Sequence, residues 1–246
     1  MRLNPMFSGV AETYDLANRV LTFGFDERWR EACARESGSG RFVVDLCCGT
    51  GALSLRLLPN LGSESYLMGL DFNKQMLGRA IAKKSKYEQK RHNSRNVQDA
   101  DNGTGVVDLL FMVTDAAHLP FKDECIDVIS ISFSFRNLIY KNPKALTYLR
   151  EATRTLKNNG RFVCVETSQP NSSLVRAFFR FYCLRIVPLV GGFISGQKAA
   201  YKYLGKSAAN FPFPQEIVAM MKEAGLRKAK LKPLCLGIIA LYVAGK

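Results

Sequence analysis

Apolar residues follow two rhythms along this chain. Nearly unbroken apolar runs at residues 41–46 (RFVVDL), 66–70, 109–113, 126–133 and 161–166 read as short strands buried on both faces. Helical patterns alternate with them: one after the glycine turn that follows the first strand, ending near Pro59, and one over residues 74–84. A third has Asn142 as N-cap, Pro143 at its first position, Leu146, Leu149, Thr153 and Leu156 along one face, and Asn159-Gly160 as its stop. Ile217, Met220, Met221 and Ala224 repeat the helical spacing before Gly225, and two last strands near 226–232 and 236–243 predict an antiparallel hairpin at the sheet edge. The alternation predicts one α/β domain over residues 1–246, with a mostly parallel sheet of seven strands and helices on both faces. Three segments stand outside it: an N-terminal helical cover (1–35), a polar inserted loop (85–106) and an aromatic-rich helical lid (172–212).

Composition narrows the function classes. A hydrophobic share of 47% is enough for a large core. The net charge of +14 suits polyanions or anionic bilayers, and six basic residues against Glu88 alone between Lys83 and Arg95 concentrate part of it in what reads as a solvated loop. Seven scattered cysteines with no Cys-x-x-Cys pair, and only His92 and His118 beside them, argue for reduced core thiols and against a metal site or disulfide framework. The N-terminal residues lack an apolar signal core, and arginines 176, 180 and 185, Pro188 and Gly191-Gly192 interrupt the apolar stretch 174–194. The expectation is a soluble cytoplasmic protein, at most peripheral at the inner face of a membrane.

Chemistry concentrates at residues 42–54 (FVVDLCCGTGALS), where a strand runs into Gly49-Thr50-Gly51 and then a helix. Glycine there lets the backbone turn sharply and approach a ligand. Three acids follow three strands. Asp45 precedes the turn and can reach a cationic amine; Asp71, twenty residues after Gly51, suits ribose hydroxyls; Asp115 can accept from an adenine amine. A nicotinamide dinucleotide is the rival ligand, but it needs a third glycine where Ser54 stands, and its pyrophosphate sits badly against Asp45. S-adenosylmethionine carries an ammonium and a sulfonium and no phosphate, so the acids favour it. The fold this implies is Rossmann-like, with Tyr14, Asp45, Gly49, Thr50, Gly51, Asp71, Asp115, Ala116 and Ser132 as cofactor-binding candidates. Taken singly, each acid is as well explained as a cap or turn residue, and Cys47 and Cys48 as packing.

At this point the chain resembles, over nearly its whole length, the ubiquinone/menaquinone biosynthesis C-methyltransferases. Residues 7–30 are similar to that family's N-terminal signature through Tyr14, Asp15, Asn18, Gly24 and Trp29; residues 115–138 follow its pattern through Arg136-Asn137; and 201–212 (YKYLGKSAANFP) resembles its lid segment through Tyr201, Tyr203, Leu204, Ser207, Phe211 and Pro212. Departures are Ala17 for methionine, Thr22 for serine, Ser134 for glycine, TLKNNG at 155–160 for VLKPGG, and the basic insert after Lys84. None touches the three acids.

The resemblance implies methylation of a ring carbon on a polyprenylated quinol, with demethylmenaquinol favoured over the ubiquinone-pathway benzoquinol because the chain is compact and signal-free. It implies catalytic roles for Arg136, Asn137, Tyr201 and Asp15. Guanidinium stays protonated above about pH 12 and makes a poor base, so Arg136 is expected to stabilise a phenolate; outside this context an arginine at a strand end would be a surface ion pair. Tyr14 is expected to cover the sulfonium with its ring face, Tyr201 to orient the quinol oxygen, and Asp15 to accept a proton; His118 is a weaker candidate base. A lipid quinol is the expected partner, with peripheral membrane contact, no nucleic acid, and a homodimer left open. The competing readings are another small-molecule methyltransferase acting on a phenol or sterol, a nucleic-acid methyltransferase suggested by the charge, and a non-catalytic cofactor-binding partner.

Overall fold

The computed structural model describes residues 3–94 and 108–246. One sheet contains β1 (Phe42–Leu46), β2 (Tyr66–Asp71), β3 (Asp108–Val113), β4 (Ile126–Ser132), β5 (Leu156–Thr167), β6 (Arg227–Leu234) and β7 (Ile239–Gly245), in the order β3-β2-β1-β4-β5-β7-β6. β1 to β5 run parallel, and β7 lies antiparallel between β5 and β6. The expected fold class holds. From β1 the chain steps outwards through β2 to β3, then returns to place β4 on the other side of β1. That switch opens a crevice beyond the carboxyl ends of the strands, where open α/β sheets bind ligands.

Period-two alternation divides the strand residues between two cores. Val43, Leu67, Val128, Val163 and Leu241 pack with Cys33 and Ala34 of the helix Phe25–Ser37 and with Leu53 and Leu57. Val44, Leu70, Ile129, Phe162 and Tyr242 pack on the other face with Leu149 and Ala152 of Ala145–Thr155 and with Ile217 and Met221 of Pro214–Glu223. Helices on both faces explain why the inner strands read as unbroken apolar runs. Part of the basic excess belongs to the edge: Arg227, Lys228, Lys230 and Lys232 are exposed along β6, where charge opposes pairing with another sheet.

Several boundaries differ from the sequence expectations. The third helix starts at Ala145, because Asn142 instead builds the turn before it, its Oδ1 accepting from the Lys144 amide at 3.0 Å and its carbonyl from the Ala145 amide at 3.1 Å. It stops at Thr155, since buried Leu156 already pairs with Ile126 of β4. The helix Lys74–Ser94 runs well into the segment read as an inserted loop; its polar residues are good helix formers, and Lys84 pairs with Glu88 one turn on at 3.5 Å. The remaining positions of that loop, 95–106, lie outside the described residues.

The aromatic segment is helical from Ser173 to Ser195, with a π-helical turn at Tyr182–Ile186. Its arginines do not interrupt it: Arg176 Nη1 donates to the Pro170 carbonyl at 2.8 Å and Arg180 Nη1 to that of Ala209 at 2.7 Å. By length and composition this helix is apolar enough to cross a membrane, contrary to the sequence expectation. In the fold it lies along the domain instead. Phe179, Cys183, Val187 and Gly191, four residues apart, are buried, while Leu174, Phe178, Phe181, Leu189 and Phe193 are exposed. The helix Lys198–Ala209 packs beside it.

Candidate active site

Beyond the carboxyl ends of β1 to β3 the glycine turn bounds a cavity of about 640 Å³. The chain leaves β1 through three left-handed residues: Cys47 (φ 57°), Gly49 (φ 55°) and Gly51 (φ 73°). A Cβ on Gly49 would meet nothing within 4 Å, whereas one on Gly51 would stand 3.0 Å from the Ala80 Cβ and 3.2 Å from the Phe111 ring. Gly49 therefore answers to backbone conformation alone, and Gly51 also to packing. The turn is tied to β2: Asp71 Oδ2 accepts from the Gly49 amide at 2.9 Å and its Oδ1 from the Asn73 amide at 2.8 Å. Asp115 Oδ1 accepts from the Ala117 amide at 2.9 Å. Both acids line the cavity with Gly49, Ala116, Ser134 and Asn137, and a carboxylate holding one or two amides keeps lone pairs for a ligand. Burial pushes the Asp71 carboxyl above its ordinary range, against the Asn73 and Gly49 amides. The Asn137 Oδ1 is buried without a partner among the described residues.

Asp45 is fully buried and does not form the cavity lining. Its Oδ2 accepts from Ser54 Oγ at 2.6 Å, and its Oδ1 has no partner among the described residues. Burial, opposed by the Ser54 hydrogen bonds, pushes its carboxyl up to about 7. Thr50 and Asp15 join another arrangement: Thr50 Oγ1 donates to Asp15 Oδ1 at 2.7 Å, and Lys83 Nζ meets Asp15 Oδ2 at 2.5 Å and Thr50 Oγ1 at 2.9 Å. This cluster ties the N-terminal helices to the glycine turn and leaves Asp15 engaged by a lysine rather than facing a cavity. Ser132 ends β4 outside both linings.

A second chamber of about 550 Å³, largely apolar, lies beside the first, and Tyr14 lines both. Its walls include a ladder of rings, Phe25 to Trp29 with centroids 6.1 Å apart and Trp29 to Phe133 with 6.0 Å. Phe133 is itself left-handed (φ 55°), a strained backbone at the end of β4 that turns the chain into the helix Phe135–Ile139. Consecutive residues of that helix serve different chambers, Arg136 the apolar one and Asn137 the polar one. Arg136 is 3% exposed. Its Nη1 donates to Glu166 Oε1 at 2.7 Å and Thr167 Oγ1 at 3.1 Å, and its amide to Glu166 Oε2 at 2.9 Å. The ion pair foreseen for such an arginine exists, but inside the protein rather than on its surface.

Tyr201 lines neither chamber. Its ring lies over Gly191, where a Cβ would come within 2.1 Å of it, and its hydroxyl is buried without a partner among the described residues. It joins a core with Val10, Ala17, Leu21, Val187 and Ala200. His118 is exposed and lines neither chamber. Sequence reasoning missed Glu166, the second buried guanidinium, Arg30, in the apolar chamber, and Asn4, Phe7 and Phe72 in the polar one. Asn4 is held there by Asn73, whose Nδ2 donates to the Asn4 carbonyl at 3.1 Å and to its Oδ1 at 2.6 Å.

Comparisons with known proteins identify the family and the fold. The model of the ubiE/COQ5 methyltransferase family matches residues 1–246. A ubiquinone/menaquinone biosynthesis C-methyltransferase UbiE of Rickettsia bellii is 34% identical over 99% of this chain and 92% of its own. A demethylmenaquinone methyltransferase of Bacillus cytotoxicus is 30% identical over 100% and 95%. Among solved structures, a SAM-dependent methyltransferase of Thermotoga maritima, described as a possible histamine N-methyltransferase, shares the fold with a TM-score of 0.63 at 16% identity, over 100% of both chains.

Proposed function

The chain belongs to the ubiE/COQ5 methyltransferase family and uses S-adenosylmethionine as its methyl donor, and we propose that it transfers that methyl to a ring carbon of a polyprenylated quinol, demethylmenaquinol. One observation carries the reading: a polar chamber with acids and an apolar chamber with a buried guanidinium share the wall residue Tyr14. The polar chamber suits a nucleoside, with Asp71 towards the ribose and Asp115 with Ala116 towards the adenine. The apolar chamber suits a ring with a prenyl tail, and the rings of Phe25, Trp29 and Phe133 suit a flat bicyclic naphthoquinol.

The donor supplies an electrophilic methyl on a sulfonium. The chain's residues must align the ring carbon with it, exclude water and stabilise charge on the ring oxygen. Arg136 performs the last task. Glu166 fixes one edge of its guanidinium, and the cation lowers the pKa of the acceptor hydroxyl in an apolar surround, where charge interactions are strong. Ionisation releases the hydroxyl proton to solvent and sends electron density to the ring carbon, a carbon–carbon bond forms as the carbon–sulfur bond breaks to leave the neutral thioether S-adenosylhomocysteine, and the ring proton passes to the ring oxygen as aromaticity returns, so that one proton is released per methyl transferred. Tyr14 presents its ring to the sulfonium at the boundary between the chambers. Incubation with the donor and reduced demethylmenaquinol, demethylated benzoquinol or an unrelated phenol, followed by mass spectrometry, is expected to show a gain of one methyl on the naphthoquinol; methylation of the unrelated phenol alone overturns the reading.

Asp45 gives the donor site a pH signature. Its raised folded-state pKa stabilises the empty protein fully below the ordinary carboxylate value of about 4, and that contribution is lost as pH rises through about 7. An ammonium ligand prefers the ionised form, so donor affinity should climb by up to roughly tenfold per pH unit below 7 and flatten above it. Calorimetry across this range is expected to show the climb in the unaltered protein and its loss in Asp45→Asn; the same slope in both proteins contradicts the role given to Asp45.

The exposed aromatic helix is proposed as a bilayer contact. Phe23, Phe25, Phe178 and Leu236 are exposed where they line the apolar chamber, and Phe181 and Phe193 continue the apolar surface beyond it. A lipid-tailed acceptor can then enter from the membrane while the chain's positive charge favours anionic headgroups. Replacing Phe181 and Phe193 by Asp is expected to lower binding to anionic phospholipid vesicles by about tenfold or more and to spare methylation of a short-tailed, water-soluble acceptor. Vesicle binding unchanged by that pair of substitutions removes the helix from the membrane surface.

A further inference from the structure

The polar wall residues of the apolar chamber differ in what they offer an oxygen on the acceptor. Arg30 and Arg136 are donors only. The Tyr182 hydroxyl spends its proton on the Leu21 carbonyl at 2.6 Å, and Thr167 Oγ1 is engaged by Arg136 Nη1 at 3.1 Å and Glu166 Oε1 at 3.0 Å. Asp26 is the one carboxylate among the described residues that line the chamber, and it is buried. Its Oδ2 accepts from Arg30 Nη1, one turn on in the helix Phe25–Ser37. Its Oδ1 stands 3.1 Å from Thr22 Oγ1, but that hydroxyl has one proton and the Asn18 carbonyl is nearer to it, at 2.8 Å. Both oxygens of Asp26 therefore keep lone pairs for a further donor. Phe25 and Trp29, which belong to the same helix, lead the ladder of rings that ends on Phe133, and the Arg30 guanidinium stands 5.2 Å from the Phe133 ring centre. The carboxylate thus accompanies the surface suited to a flat ring.

Methyl transfer to a ring carbon needs the acceptor in its reduced form, because only a ring hydroxyl can ionise and push electron density into the ring. The oxidised form is nearly the same size and shape, so an apolar chamber alone separates the two poorly. A guanidinium serves a hydroxyl oxygen and a carbonyl oxygen alike, and Arg136 gives no selection between them. A carboxylate does: a hydroxyl donates to it, whereas a carbonyl oxygen brings lone pairs against a negative charge. We infer that Asp26 is the residue by which the chamber selects the quinol over the quinone, its carboxylate receiving a hydrogen bond from a ring hydroxyl and repelling a ring carbonyl at the same place. Arg30 compensates the buried charge of Asp26 without removing its capacity to accept. The inference rests on the reading of the acceptor as a quinol.

Anaerobic equilibrium binding of a short-tailed demethylated naphthoquinol and of its quinone, each with S-adenosylhomocysteine present, tests this directly. The unaltered protein is expected to bind the quinol roughly tenfold to a hundredfold more tightly than the quinone. Asp26→Asn replaces an acceptor by a group that also donates, and should bring the two forms within about threefold of each other, so that the quinone becomes an effective inhibitor of quinol methylation. Asp26→Glu keeps the charge and should keep part of the preference. If Asp26→Asn is unstable because Arg30 loses its anion, Asp26→Asn combined with Arg30→Gln removes both charges and should show the same loss of preference. A quinol preference that survives in Asp26→Asn, or one absent from the unaltered protein, overturns the inference. So does a fall in affinity for both forms by the same factor, which would make Asp26 a support for the helix. If the unaltered protein binds neither form and methylates only an unrelated phenol, the acceptor reading fails and this inference fails with it; if it methylates the naphthoquinol and Asp26→Asn discriminates as before, the acceptor reading stands and only the role given to Asp26 is lost.

Discussion

Arg136→Ala is expected to lose about a hundredfold to a thousandfold in turnover while its affinity for S-adenosylmethionine stays within about threefold of the unaltered protein. The asymmetry follows from the chambers. Arg136 lines the apolar one, where the proposed reaction develops charge on the acceptor, whereas the polar chamber is built from other residues. Glu166 complicates the experiment. It is fully buried, and losing the guanidinium strands its carboxylate, a change that typically destabilises a fold by about 3–5 kcal/mol. Arg136→Met combined with Glu166→Gln removes both charges and should recover folding without recovering turnover. Full activity in either variant would move phenolate stabilisation to another residue. Equal loss of donor affinity and turnover would make the pair a structural support for the crevice.

Asp71→Ala is expected to weaken S-adenosylmethionine binding by well over tenfold. Two effects act together. The variant removes a carboxylate that lines the polar chamber, and it releases the Gly49 amide, so the turn loses its tie to the end of β2. Asp71→Asn separates them in part: the amide oxygen can still accept from Gly49 while the charge is lost, and the amide nitrogen, a donor, then faces the Asn73 N–H. If ribose hydroxyls are the ligand, Asn should fall between the unaltered protein and Ala, since a neutral acceptor makes a weaker hydrogen bond than a charged one. Calorimetry showing unchanged affinity in Asp71→Ala would refute the ribose assignment.

What the sequence made legible was local. The β1 strand, the Gly49-Thr50-Gly51 turn and the acids at the ends of successive strands each depend on a few adjacent residues, and alternation of strand and helix carries the parallel sheet. Pairings between distant segments were hidden. Glu166 meets Arg136 only because β4 and β5 lie side by side in register, Ser132 opposite Val165. Asp15 read as a free acid because nothing local foretold that Lys83, on a helix far along the chain, would reach it. Tyr201 shows a second limit. Which face of the helix Lys198–Ala209 turns inward depends on how it meets the helix beside it, and Gly191 accepts the Tyr201 ring there, away from both chambers. The aromatic helix shows a third: its arginines look like interruptions until they are seen bonded to carbonyls at Pro170 and Ala209.

A crystal structure of the protein with S-adenosylhomocysteine tests the central geometry most directly. The ribose is expected against Asp71, the adenine beside Asp115 and Ala116, and the sulfur next to Tyr14, open towards the chamber that holds Arg136. A nucleoside bound away from Asp71 and Asp115, or a sulfur closed off from the apolar chamber, would contradict the account.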